Sequence, residues 1–429
     1  MSEPSISRIL HLGDGGCSPL QHVLPGLSCL PSLLLALFSS QTGAPSGQCP
    51  RSLPRRSAGI QVRPDISLLL VIFARNIFYP HPLFFNNHLS LIPFVFACWL
   101  RKVFPIYPYH TEHFLLSDGE FISVDWVIGD QVHPQHGLRA DPNDTTPIVM
   151  IHHGICGNSR DIPGQSYIEG AVARGWIVCI FNRRGHAGPL TRPRWNLFGS
   201  TGDIREAVSS ISARRPRAPL LKVGLSVGSA VVARYFGEEG NEFTAGVGVS
   251  PGYNIEVCMK RIPEPYNRLL LHSVKTLFLR RNRSILQSIP GYSRCLQANC
   301  VQELLDESFT MAGYRSKDEY YFHSNPIKVT QNVNRPLLMI NAKDGKETWF
   351  VLLDCHLSID PLCIMQNIEE HMPLFKESIH AILALSSSGS HLPFYLYPTD
   401  IFRPMECWAE QATYAFFDAV LLHSKQRQK

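Results

Sequence analysis

The sequence predicts an α/β fold, with a mostly parallel central sheet flanked by helices, and three observations lead there. Short apolar runs of strand length recur at Phe121–Val127, Ile148–Ile151, Ile177–Phe181, Leu220–Gly224, Ala245–Val249 and Leu337–Asn341. Helix-length segments of mixed polarity lie between several of them, as at Gln165–Arg174, Gly202–Ala213 and Ser229–Phe236. Strands that alternate with helices imply βαβ units and hence a parallel sheet. Thirdly, the run ending at Gly224 passes through a tight glycine-flanked turn directly into the helix pattern that starts at Ser229.

The chain has 429 residues, of which 45% are hydrophobic, 10% aromatic and 17% charged. The charged share lies below the usual quarter or so, which suggests extra apolar surface or a membrane-associated segment. The net charge of +5 comes with scattered arginines. That excludes the basic stripe of a nucleic-acid binder. The 12 cysteines include no C-x-x-C, so a zinc ribbon or thioredoxin-type redox site is not indicated. Neither a P-loop, nor a G-x-G-x-x-G after a strand, nor metal-spaced histidines occur. No cofactor or metal is therefore expected.

Residues 1–64 are rich in Pro, Ser and Gly without a sustained period, and their one apolar run, Leu30–Phe38, is too short to span a bilayer. Disorder is the expectation there. The segment 65–105 differs. It carries two apolar runs, Ile66–Ala74 and Leu89–Leu100, followed by Arg101 and Lys102. Neither run reaches the roughly 18–20 residues of a spanning helix. The pair reads as an interfacial or re-entrant anchor, or as two core-packing helices. The alternating strand and helix pattern occupies 106–425. Within it a cap is expected over 254–325, including the basic stretch Lys275, Arg280, Arg281 and Arg283. That stretch is either a solvated face or a contact for phosphate headgroups.

The strongest chemical signal is Gly224-Leu225-Ser226-Val227-Gly228, placed between a strand pattern and a helix pattern. That context makes it a nucleophile elbow, with Ser226 on a sharp strand-to-helix turn. A Gly/Ser-rich turn without chemistry is the bland alternative. Upstream, Ile151-His152-His153-Gly154-Ile155-Cys156-Gly157 follows the strand Ile148–Ile151. A His-Gly turn there commonly lends one amide to an oxyanion hole. The donors would be the amides of Ile155 and of Val227, the residue after the nucleophile. Serine is a weak nucleophile at its ordinary pKa, so it needs a base, and the base needs an orienting carboxylate. His391, in Ser388-Gly389-Ser390-His391-Leu392-Pro393-Phe394 after the apolar run Ile382–Leu385, fits a base on a loop after the last strand. His371 and His380 sit in patterns that look helical.

The acid has two main candidates. Asp344 ends the strand-like run Leu337–Asn341 but stands 47 positions before His391, whereas Asp360 stands 31 before it. A loop, helix, loop, strand and loop sum to roughly 30 residues. Asp360 is preferred, and 345–359 then reads as an insertion that splits an Asp-Asp-Pro-Leu sequence. Asp344 remains the alternative, with Asp354 a remote third.

Further stretches strengthen the reading. Ser117-Asp118-Gly119 precedes Val124-Asp125-Trp126. Phe181-Asn182-Arg183-Arg184-Gly185 is followed by Gly188, Leu190 and Pro193-Arg194, and then by Gly202-Asp203-Ile204. Together with the elbow, and with Asn341-Ala342-Lys343-Asp344 joined to Asp360-Pro361-Leu362, they resemble the membrane-bound α/β-hydrolase-domain (ABHD) lipid hydrolases. The branch concerned holds phospholipases and monoacylglycerol lipases, with fungal medium-chain ester synthases as relatives. The resemblance covers roughly 105–425. It implies an α/β-hydrolase fold with a helical cap and an N-terminal membrane anchor, single-pass or interfacial, in the endoplasmic reticulum or plasma membrane. It also implies a Ser226–Asp360–His391 triad. Ser229, at the end of the elbow motif, departs from the small Gly more usual there.

The expected chemistry is acyl transfer from a lipid ester to Ser226 and then to water, at a membrane. If an alcohol replaces water, the same site makes esters. A catalytically inactive lipid-binding protein on the same fold, and a soluble esterase for small esters, are the rivals. Two H-x4-D matches, His113 to Asp118 and His136 to Asp141, fit an acyltransferase signature but are unsurprising among 18 histidines. The N-x-S/T acceptors Asn143 and Asn282 would matter only on a lumenal face. Headgroup, acyl length and oligomeric state are not encoded in any motif.

Overall fold

The computed structural model describes residues 60–61, 107–128 and 139–342 apart from 161–162, 199 and 239. It further describes 368–370, 372–373, 375, 378, 380–386, 390–392, 394 and 407–427. The apolar segment 65–105, the insertion 345–359 and the acid candidates Asp344, Asp354 and Asp360 lie outside the described residues. So does all of 1–64 except Ile60–Gln61.

Nine strands form one sheet: β1 (Ile60–Gln61), β2 (Tyr109–Leu115), β3 (Phe121–Val127), β4 (Ile148–His152), β5 (Ile177–Asn182), β6 (Leu220–Leu225), β7 (Ala245–Val249), β8 (Leu337–Ala342) and β9 (Ala381–Ser386). Their order is β1-β9-β8-β7-β6-β4-β5-β3-β2. The six strands from β9 to β5 are mutually parallel, while β1, β2 and β3 pair antiparallel at the edges. Every residue of β4 to β9 is buried. This is why these strands read as near-continuous apolar runs: helices cover both faces of a parallel sheet.

On one face Val149, Ile151, Val223, Val247 and Ile340 pack under helices α1 (Pro163–Val172) and α10 (Trp408–Arg427). A Cβ on Gly170 of α1 would lie 2.2 Å from the Tyr414 ring of α10, so only glycine allows this approach. On the other face Met150, Cys179, Phe181 and Leu220 pack against α2 (Gly202–Arg214) and α3 (Val227–Glu238). Each large side chain taken fully out of water there contributes about 1.5–3 kcal/mol.

A third core lies outside the sheet. It is built by short helices α4 (Ile255–Lys260), α5 (Glu264–Val274), α6 (Arg283–Leu286), α7 (Tyr292–Gln297), α8 (Val301–Glu307) and α9 (Lys317–Ser324), with a π-helical turn over Lys275–Arg280. Phe278, Leu304, Leu305 and Tyr320 pack there against Trp195, Leu197 and Phe198 from the connection after β5. The basic stretch is partly structural. Lys275 Nζ donates to the Ala298 carbonyl at 2.5 Å, and Arg281 donates to the carbonyls of Gly185 and Gly188. Asn282 is fully buried, giving its amide hydrogen to Phe278 O at 2.8 Å and accepting from Leu190 N at 2.8 Å. It is thus closed to glycosylation in the folded chain, whereas Asn143 is exposed.

β4 is flanked by β5 on one side and β6 on the other. Its chain neighbours therefore run in opposite directions across the sheet. A crevice opens beyond the carboxyl ends of the strands at such a switch point. The loop after β4 and the turn after β6 both empty into it.

Candidate active site

Ser226 is the residue between β6 and α3, and its φ of 55° lies in the left-handed region. A non-glycine residue held there costs about 1–3 kcal/mol and persists only where its surroundings over-determine it. The surroundings here are two glycines without room for a side chain. A Cβ on Gly224 would lie 2.4 Å from Gly228 O, and one on Gly228 would lie 2.3 Å from His152 O. Ser229, the departure noted above, closes the turn. Its amide donates to Ser226 O at 2.9 Å and its hydroxyl donates to the same carbonyl. The start of α3 at Val227 directs the positive end of a helix dipole at the serine.

His391 Nε2 lies 2.8 Å from Ser226 Oγ. Both side chains are nearly sequestered, at 8% and 9% exposure, so their interaction is little screened by water. Two hydrogen bonds hold the histidine segment. Leu392 takes a left-handed φ of 86°, and its amide meets Ser250 Oγ at 3.4 Å. Phe394 is fully buried, and its carbonyl accepts from Trp408 N at 2.8 Å. An imidazole at this distance can take the serine proton as the hydroxyl attacks. Both acid candidates, Asp360 and Asp344, are outside the described residues.

Ile155 sits at the second position of a turn from Gly154 to Gly157, closed by Gly157 N donating to Gly154 O at 3.3 Å. Cys156, at the third position, has φ 57°, as a type II turn requires. A Cβ on Gly154 would come within 3.3 Å of Ser226 Cβ, so the turn runs directly past the nucleophile. Val227 borders the same space from the other side.

Behind the turn lies a buried polar layer to which the sequence reading gave no role. Arg183 donates through Nη2 to Gly154 O at 2.7 Å and through Nη1 to Leu197 O at 2.6 Å. His153 Nδ1 lies 2.9 Å from Gly154 O, while its Nε2 accepts from Arg183 N at 3.3 Å. His152, His153 and His186 are all buried, and burial holds each imidazole well below the ordinary histidine pKa, with Arg183 opposing protonation too. Burial also pushes the Arg183 guanidinium down to about 10, still charged at neutral pH. Further along the loop, Ser159 donates to Asp125, and Asn182 joins Ser159 N at 2.8 Å to Asp125 at 2.7 Å. The available signal was the pair of sequences after adjacent strands, His-His-Gly after β4 and Asn-Arg-Arg-Gly within and after β5. The register His152 to Phe181 brings them side by side.

Two clefts meet at the serine. One, with an empty volume of about 440 Å³, is walled by Phe198, Ala230, Ile255, Met259 and Leu270. The other, about 770 Å³, is walled by His153, Cys156, Asn158, Ser159 and Leu392. Ile155, Ser226 and His391 line both.

The family described as serine aminopeptidase, S33 (Hydrolase_4) matches residues 143–306. Human protein ABHD15 is 28% identical over 318 residues, covering 72% of this chain and 62% of its own length. Bovine phospholipase ABHD3 is 28% identical, covering 56% of this chain and 59% of its own. The chain is thus similar to α/β-hydrolase-domain (ABHD) proteins. A monoacylglycerol lipase of Saccharomyces cerevisiae is 25% identical to this chain, over 60% of it and 57% of the lipase. Among solved structures, the Pyrococcus furiosus esterase Pf2001 matches with a TM-score of 0.44 at 15% identity, covering 73% of this chain and 93% of the esterase. The chain spans about three fifths of the length of the curated relatives it matches.

Proposed function

We propose that this protein is a serine hydrolase that cleaves carboxylic esters of lipids, the acyl esters of glycerolipids or phospholipids, at a membrane surface. The observation that carries the reading is the Ser226 Oγ to His391 Nε2 pair, 2.8 Å apart, on a strained turn at the mouth of an apolar cleft. His391 removes the hydroxyl proton as Ser226 attacks the ester carbonyl. The amides of Ile155 and Val227 receive the oxyanion. The proton returns to the leaving alcohol, and water then releases the free acid by the same steps. Asp360 orients His391, with Asp344 the alternative.

The wall of Phe198, Ile255, Met259 and Leu270 suits an acyl chain, and relatives named phospholipase and monoacylglycerol lipase support the lipid class. Membrane association rests on the apolar runs within 65–105. Among the described residues no helix is long and apolar enough to cross a membrane. The second cleft favours one further reading: an alcohol held there in place of water would make this an ester synthase.

The test is turnover of phosphatidylcholine and monoacylglycerol vesicles by the full chain, with and without added alcohol. Free fatty acid that depends on Ser226 and Asp360, but not on Asp344, supports the proposal as stated. Loss in Asp344→Asn alone moves the acid, and ester product in excess of free acid moves the chemistry to transfer. A folded wild type that binds these lipids without turnover overturns the enzyme reading in favour of a lipid-binding protein.

A further inference from the structure

Gly154 O is an unusually crowded acceptor. It receives Arg183 Nη2 at 2.7 Å, His153 Nδ1 at 2.9 Å and, more loosely, Gly157 N at 3.3 Å. The first two donors come from side chains that are 1% and 6% exposed, and among the described residues neither forms a salt bridge with a carboxylate. Burying a guanidinium is costly unless its hydrogen bonds compensate, so the Gly154 and Leu197 carbonyls are firmly held partners. The tautomer of His153 is set by its surroundings. Nε2 faces the backbone N–H of Arg183, so the ring proton is on Nδ1 and points at Gly154 O.

We infer that Arg183 and His153 are positioning residues that clamp the Gly154 carbonyl and thereby aim the Ile155 amide at the reacting carbonyl carbon's oxygen. The inference rests on the proposed hydrolase reading and deepens it. The peptide joining Gly154 to Ile155 is planar and trans. Its C=O and N–H therefore point in opposite directions, and fixing one fixes the other. With the oxygen held toward Arg183 and His153, the N–H faces the cleft that Ile155 shares with Ser226. A peptide in a Gly-containing turn rotates easily when nothing holds it, and the rotated form would present an oxygen lone pair to the developing oxyanion. The clamp removes that form before substrate arrives, so the stabilisation costs no reorganisation during reaction.

Arg184, the next residue, has a different task. It is bound to Asp203 at 2.6 Å and 2.8 Å and to Asp118 at 2.7 Å. Its neutralised network ties the loop to β2–β3 and α2 without touching the turn. The Asp118 of the H-x4-D match is thus engaged structurally.

The experiment compares the full-length wild type with Arg183→Met, His153→Leu, the double variant and His153→Asn, whose amide nitrogen can replace Nδ1 as donor. Crystal structures report the Gly154–Ile155 peptide directly. Kinetics report kcat and KM for a soluble ester, and affinity for a trifluoromethyl ketone that forms a tetrahedral adduct with serine. Each single apolar variant should lose about 10-fold in kcat. The double should lose about 100- to 1,000-fold, the loss typical of one oxyanion donor. KM should hold, ketone affinity should fall in step with kcat, and the peptide should be rotated or mixed. His153→Asn should remain near wild type. Wild-type kcat in folded single and double variants, or an unrotated peptide in the double variant, would overturn the inference. A change in melting temperature with kcat per folded molecule unchanged would also overturn it. If the wild type binds no ketone and turns over no ester, the hydrolase reading fails instead, and the crystal structures still decide whether the clamp holds the peptide.

Discussion

The two clefts that meet at Ser226 are built on opposite principles. The wall under α4 and α5 is carbon: Ile255, Met259 and Leu270, with Phe198 and Ala230 below, held by packing that is non-directional. The wall after β4 has carbon on its surface too, from Ile151, Ile180, Leu225 and Leu392, but it is backed by a polar layer in which each hydrogen bond restricts an angle. Gly154 O, Ser159 and Asn182 are each tied to buried partners, and the backbone passes Gly228 with no space to spare. The difference separates two tasks. A dispersion-held wall can reshape at modest cost, so on the proposed reading it would govern preference among acyl chains. A hydrogen-bonded wall with two left-handed residues, Cys156 and Ser226, holds one geometry, so on the proposed hydrolase reading it would govern rate.

The largest effect should come from disturbing the polar wall at its tightest point. In Gly228→Ala the new Cβ would sit 2.3 Å from His152 O and 2.6 Å from His153 O, and both contacts are with backbone that cannot swing away. Turnover should fall by at least about 100-fold, through displacement of the oxyanion turn. The melting temperature should drop as well, since overpacking costs about 1–3 kcal/mol. A fully active Gly228→Ala protein would show the polar wall to be as yielding as the apolar one.

Acid should distinguish the walls next. The depressed pKa values of His152, His153 and His186 mean that the unfolded chain takes up protons which the native chain refuses. Their contribution to stability is complete above the unfolded pKa of about 6.5 and is lost as pH falls below it, at about 1.4 kcal/mol per pH unit for each histidine. Lys222, pushed down to about 7 by burial against Phe181 and Phe243, acts in a higher window. Between about 7 and about 9 the unfolded chain holds its proton and the native chain does not, so stability should rise with pH there; above about 9 the Cys179 and Cys295 thiols, pushed up to about 12 by burial, reverse the slope. Denaturant midpoints measured from pH 5 to pH 10 check both slopes, and a maximum near pH 6 would contradict them.

The smallest effect on stability should come from the apolar wall. Leu270→Trp should reduce kcat/KM for long-chain esters about 10-fold relative to short-chain ones while short-ester turnover is kept. Competition between esters of two chain lengths measures this. An equal loss for both lengths would remove Leu270 from the acyl path.

How much of this could be read from the chain follows the same division. Ser226, Ile155 and His391 stand within local patterns: an elbow between strand and helix, a glycine turn after a strand, a histidine after a late strand. Each needs only a few neighbouring residues to be recognised. The sheet was legible for a related reason, since strands buried on both faces leave unbroken apolar runs. The clamp was not legible, because Arg183 and His153 are 30 positions apart and meet only through the pairing of β4 with β5. A pair of adjacent arginines reads as surface charge, and nothing local separates Arg183, which holds carbonyls, from Arg184, which holds carboxylates. Ser229 stood out as a departure and turned out to bind the elbow carbonyl. The acid, by contrast, depends on spacing across the segment 345–359, and no local pattern decides between Asp344 and Asp360.

The central claim is that Ser226 is an activated nucleophile. Labelling of the full-length protein with a fluorophosphonate, followed by mass-spectrometric mapping of the modified peptide, tests it most directly. The account predicts one adduct per chain, on Ser226, absent in Ser226→Ala and slowed at least about 1,000-fold in His391→Ala, as loss of the base from a triad does. A well-folded protein that forms no adduct, or forms it on another residue, would contradict it.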